Sequence, residues 1–158
     1  MSEEYKLIEK YASDILNSKS VLSQKEFMQH GKVSVYDHTI NVTIHALKIV
    51  KKFKIKVDER SLIRGCLLHD YFLYDWHDND KSHRLHGFRH AKFAYNNATK
   101  EYDLNKVEKN MILTHMFPLN LRLPRYKESI ILCIADKIVA TKETIGVMNR
   151  LEIIEEEI

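Results

Sequence analysis

Apolar residues recur along the chain at the three- and four-residue spacings of amphipathic helices. Tyr5, Ile8, Ala12, Ile15 and Leu16 predict a helix over residues 3–17 that lays one face on the body. Ser18 to Gly31 reads as a polar connection with a short apolar segment at Val21, Leu22, Phe27 and Met28. A long helix opens near Ser34–Asp37, where Ser or Asp can cap it, and runs through Ile40, Ile44, Leu47 and Val50 into the lysines at 51–56. Asp58 caps the next, through Leu62, Ile63, Cys66 and Leu67 to His69-Asp70. Further helices are expected over Phe88 to Glu101, from Asn105 (in capping-box spacing with Glu108) through His115, and from Lys127 through Val139. The tail from Ile145 reads as helical, ending in the solvated run Glu155-Glu156-Glu157.

Three of these helices carry polar groups on their apolar faces. Asp136 has Cys133 and Leu132 three and four residues before it. His115 has Ile112 and Met111, and His69 has Cys66 at the same offset. A lone interior His is ordinarily a hydrogen-bonded core residue. An interior carboxylate is harder to place, because it costs several kcal/mol unless a cation or several donors meet it. Two such aspartates, Asp70 and Asp136, with His38, His69, His86, His90 and His115 available, point to metal. Mixed imidazole and carboxylate donors suit zinc, iron, manganese, cobalt or nickel.

Composition narrows the class. Four glycines and two prolines in 158 residues fall far below the roughly 12% of average usage. Little turn chemistry remains for a many-stranded sheet, so an all-α fold is expected, as one domain over residues 1–158. The net charge of +3 is mild and its basic residues are scattered, which admits an anionic small substrate and argues against a sequence-specific nucleic-acid binder. Cys66 and Cys133 lie in apolar runs, with no Cys-x-x-Cys ribbon, and read as buried reduced thiols. No signal-peptide core and no apolar run near 18 residues is present, so a cytoplasmic chain with no membrane association is expected. Ile153, Ile154 and Ile158 can serve the core or a second copy, which leaves a homodimer open.

The order His38, His69-Asp70, His90, His115, Asp136 resembles the HD-domain superfamily of metal-dependent phosphohydrolases, over roughly residues 34–142. In overall plan it is loosely similar to the members that cleave diadenosine tetraphosphate symmetrically. The resemblance implies an HD-domain helical bundle with extra N- and C-terminal helices. It implies that His38, His69, Asp70 and Asp136 hold a first divalent ion, and that Asp70 bridges to a second held by His90 and His115. His86 is the alternative to His90, which is preferred because the small Ala94 follows one helical turn on. The reaction implied is hydrolysis of a phosphoester or phosphoanhydride, a nucleotide being the expected substrate class, with Asp70 as the catalytic residue. Many relatives carry a Lys shortly after His-Asp, where this chain reads Tyr71-Phe72-Leu73-Tyr74-Asp75. Phosphate contact then falls to Arg89 first, with Arg84, Arg122, Arg125 and Lys137 as alternatives. Tyr74 and Trp76 offer stacking faces or pin their loop to the body. His45 is read as supporting or core, His77 and His83 as solvent-facing, and His30 as carrying no signal. Two other functions share this ligand set: a di-iron oxygenase and a non-catalytic nucleotide-binding sensor.

Overall fold

Five of the helices begin where a short polar side chain, Ser2, Ser18, Ser34, Asp58 or Asn105, meets an otherwise unpaired amide. The computed structural model describes residues 1–71 and 86–146, with the backbone alone for 86–88. Its elements are α1 (Glu3–Leu16), α2 (Lys19–Ser23), a 3-10 turn (Gln24–Glu26), β1 (Met28–His30), β2 (Val33–Ser34), α3 (Val35–Phe53), α4 (Glu59–Leu68), α5 (His86–Glu101), α6 (Lys106–Thr114) and α7 (Lys127–Thr144). Ser34 Oγ accepts from Asp37 N at the start of α3, and Asp58 Oδ1 accepts from Ser61 N at the start of α4. At α6 the capping box is complete: Asn105 Oδ1 accepts from Glu108 N, and Glu108 Oε2 accepts from Asn105 N. Among the described residues the fold is all-α apart from the short antiparallel β1–β2 pair.

α3 packs on both α4 and α7, and α6 joins α4 to α7. Ile40, Ile44, Leu62, Leu67, Ile112 and Leu132 are buried in the shared core. Burying each such side chain stabilises the fold by about 1.5–3 kcal/mol. The α4–α6 contact is close at Gly65, where an added Cβ would run into Met111, itself fully buried. In an exposed helix Gly→Ala gains about 1 kcal/mol, but overpacking a core costs about 1–3. Gly65→Ala is therefore expected to destabilise the protein by up to about 2 kcal/mol, read as a lower urea midpoint at unchanged slope.

Two expectations need correction. The connection Ser18–Gly31 holds α2, the 3-10 turn and β1, elements of five and three residues too short to display a period. Within it Leu22 and Met28 are exposed, whereas Gln24 and Gln29 are buried, because both amides donate to Asp70. α7 ends at Thr144, followed by a turn at Ile145 and Gly146, and the rest of the tail expected to be helical lies outside the described residues. Residues 72–85, with Tyr74, Trp76, His77, His83 and Arg84, lie outside the described residues, as do Ile153, Ile154, Ile158 and the rest of 147–158. Among the described residues no helix is long and apolar enough to cross a membrane. Cys66 and Cys133 are buried and unbridged.

Candidate metal centre

His38 is carried by the first turns of α3, His69 and Asp70 by the end of α4, His90 by α5, His115 by the end of α6, and Asp136 by the middle of α7. His90 reaches the centre because α5 presents small buried residues, Ala91, Ala94 and Ala98, that let its backbone approach. All six residues are buried, and they fall into two groups that share Asp70. Around Asp70 Oδ2, His38 Nε2 lies at 3.4 Å and His69 Nε2 at 3.2 Å, and Asp136 Oδ1 lies 3.1 Å from His38 Nε2 and 3.5 Å from His69 Nε2. Around Asp70 Oδ1, His90 Nε2 lies at 3.3 Å and His115 Nε2 at 3.4 Å, the two imidazole nitrogens being 2.8 Å apart. A first-row ion with bonds of about 2.0–2.2 Å keeps neighbouring donor atoms about 2.8–3.6 Å apart, from octahedral to tetrahedral geometry. Both groups meet that spacing.

The tautomers agree. His69 Nδ1 is 2.6 Å from the Cys66 carbonyl and His115 Nδ1 is 2.7 Å from the Ile112 carbonyl. A carbonyl only accepts, so each Nδ1 carries the proton and each neutral ring turns an Nε2 lone pair inward. Glu143 Oε2, 2.7 Å from His38 Nδ1, does the same for His38. Lone pairs then face carboxylate oxygens, an arrangement that repels itself until a cation stands between them. His69 Nε2 and Asp70 Oδ1 are buried without a hydrogen-bond partner, as ligand atoms would be. The residues present therefore fit a divalent transition metal in each group.

Protons are the alternative cation. Burial alone would depress His69, but Asp70 and Asp136 outweigh it and push it up to about 10. Burial likewise opposes charge on His38, yet Asp136, Asp70 and Glu143 hold it well above its ordinary range. Asp70 and Asp136 stay well below the usual carboxylate range despite burial, through the neighbouring imidazoles. His115 moves the other way, lowered chiefly by burial, so its lone pair is free at neutral pH.

Over both groups opens a cavity of about 580 Å³, whose polar wall is Gln29, His30, Asp70, His90 and Asp136. Of the expected phosphate-binding cations, Lys137 lines it, while Arg122 and Arg125 line a different groove. Arg89 is exposed and is not among the lining residues. Arg84 and the His86 side chain lie outside the description. His45 is half-buried and belongs to neither group.

Four polar residues escaped the sequence reading. His30 lines the cavity, its ring 5.2 Å from that of His38. Gln29 Nε2 donates to Asp70 Oδ2 at 2.6 Å and Gln24 Nε2 to the Asp70 carbonyl at 3.1 Å. Glu143 is fully buried and also accepts from Asn41 Nδ2. A carboxylate in the last turn of a helix opposes the macrodipole, so Glu143 is misplaced for helix stability and well placed for orienting His38. The available signal was its position seven residues after Asp136, on the same face of α7. Removing such a partner typically costs 10–100-fold in metal affinity. Glu143→Ala is expected to lose about that much in a metal titration, while Glu143→Gln, which keeps an acceptor, loses less. Equal affinities in the three proteins would contradict the role.

The HD domain family model matches residues 35–141, which take in α3 through most of α7 and all six converging side chains. No curated protein and no solved structure matches the chain, and the narrower likeness to diadenosine tetraphosphate hydrolases gains no support. With well over half of its length matched, the chain belongs to the HD domain family.

Proposed function

We propose that this chain is a metal-dependent phosphohydrolase that cleaves a phosphoester or phosphoanhydride bond of a small molecule by attack of water. HD domains as a family point to that chemistry. The observation that carries the reading for this chain is the division of Asp70, one carboxylate oxygen turned into each group of donors. His38, His69, Asp70 Oδ2 and Asp136 would hold one divalent ion, and Asp70 Oδ1, His90 and His115 a second. When bound, such ions lower the pKa of water from about 15.7 towards 7 and offset charge on the phosphoryl oxygens.

The chain's own groups supply the rest. Gln29 fixes the rotation of the Asp70 carboxylate through its 2.6 Å hydrogen bond. Lys137, whose Nζ donates to the carbonyls of His115 and Cys133, presents an ammonium at the cavity to a phosphate. No side-chain nucleophile is needed. Burial pushes both the Cys66 and the Cys133 thiols up, away from the thiolate form.

Nucleotides belong among the substrates tried, given the net charge of +3 and the stacking faces of Tyr74 and Trp76. Protein loaded in turn with manganese, iron, cobalt, nickel or zinc is expected to release phosphate or a cleaved nucleotide from such a panel. Oxygen consumption without phosphate release, or tight binding without turnover under every metal, would displace the hydrolase reading.

A further inference from the structure

The cavity over the two donor groups has chemically opposite walls. Besides its polar residues the cavity has a hydrocarbon lining, formed by Met116, Pro118 and Leu119 in the turn after α6 and by Ala140, one helical turn beyond Asp136 on α7. Lys137 is the one Lys or Arg among the described lining residues. Two of its three N–H donors are directed at the His115 and Cys133 carbonyls, at 3.2 Å and 3.4 Å, which leaves one for a ligand.

Resting on the phosphohydrolase reading, we propose that the substrate is the phosphate monoester of an apolar alcohol. Its hydrocarbon part lies on Met116, Pro118, Leu119 and Ala140, and its phosphate faces the metal donors and Lys137. Three features support this. At about 580 Å³ the cavity far exceeds a phosphate group and falls within the roughly 300–1,000 Å³ of small-molecule sites, so an organic group occupies most of it. Hydroxyls or amides set against this wall would lose their water and meet no partner on those four side chains. Finally, each additional phosphate of a polyphosphate would bring negative charge to a wall that has no described cation beyond Lys137. Met116, unbranched and adaptable, suits alkyl groups of varied shape over one rigid ring.

The test uses binding, so it does not depend on turnover. Manganese-loaded protein is titrated calorimetrically with n-alkylphosphonates from methyl to hexyl, which keep a phosphate-like head and resist hydrolysis. Affinity is expected to rise about fourfold per methylene, the equivalent of about 0.8 kcal/mol each, until the cavity is full. Butylphosphonate should bind more tightly than 4-hydroxybutylphosphonate and than adenosine monophosphate. Leu119 is half exposed, so Leu119→Ser does not threaten the core. That variant should weaken hexylphosphonate about tenfold more than methylphosphonate.

Affinity independent of chain length, equal binding of the hydroxylated analogue, or no phosphonate binding at all would overturn the proposal. Hydrolysis of phosphate esters combined with a flat series would sink this inference and leave the hydrolase reading standing. A rising series with no hydrolysis of any alkyl phosphate would support the apolar subsite and remove the hydrolase reading.

Discussion

Asp70→Ala is expected to lower phosphate release by about a thousandfold or more and to empty both metal groups together. Deleting one electrostatic stabiliser from an active site typically costs 10²–10³ in rate, and Asp70 is the residue that the two groups share. The same substitution strands its neighbours. In metal-free protein His38 and His69 are held protonated by the surrounding carboxylates. Asp70, only 2% exposed, supplies one of those charges. Breaking a buried pair from one side costs about 3–5 kcal/mol, so the metal-free variant should melt well below the metal-free parent at pH 6. Asp70→Asn separates charge from shape: it fills the same space, keeps the chain packed, and should still fail to bind metal. Metal content by mass spectrometry, phosphate release and circular dichroism read the three consequences. Full activity in a folded Asp70→Ala protein would leave the proposed mechanism without its central group.

The second large effect is on stability, and its sign depends on what fills the centre. His38 and His69 have folded pKa values above the unfolded value of about 6.5. Their contribution to metal-free protein is complete below about pH 6.5 and is lost as pH rises towards the folded value of about 10 for His69. Asp70 and Asp136, depressed in the fold, contribute above about pH 3.9 and lose that contribution on acidification. His115, lowered by burial, takes up a proton on unfolding below about pH 6.5 and so favours the unfolded chain in acid. Metal-free protein should therefore be most stable near pH 5–6.5 and melt progressively lower through pH 7, 8 and 9.

A divalent ion replaces those protons and reverses the trend. At a hundredfold excess over Kd it adds about 2.7 kcal/mol, or roughly 5–10 °C in a chain of this size. Scanning fluorimetry from pH 5 to 9, with chelator and with manganese or zinc, gives both curves. Superimposable curves would mean that nothing in this centre exchanges protons for metal.

Much of this centre was legible in the amino-acid order, for a local reason. Helical period places residues three and four apart on one face. Asp136 above Cys133 and Leu132, and His115 above Ile112 and Met111, therefore had to point inward wherever those helices packed. The buried placement of both residues follows that rule. Caps were equally local: Ser34, Asp58 and Asn105 each bond an amide three residues on.

The rest depended on distances between parts of the chain far apart in sequence. Gln24 and Gln29 lie on elements too short to carry a period, and they matter because the 3-10 turn and the hairpin lay them against Asp70, more than forty residues later. Glu143 becomes the partner of His38 across 105 residues. Lys137 follows Asp136 and stands about 100° from it around the helix, yet it lines the cavity, its flexible stem bringing Nζ to the His115 carbonyl just after α6. Arg89, adjacent to His90 in sequence, turns outward by the same geometry, since neighbours on a helix face different directions. By itself, then, the sequence determined where the long helices form and that Asp136 and His115 must be inside, because period and capping act within a few residues. Only the tertiary structure decided how those groups divide around Asp70, which cation reaches the cavity and which wall stays apolar, because such pairings arise from helices meeting in space.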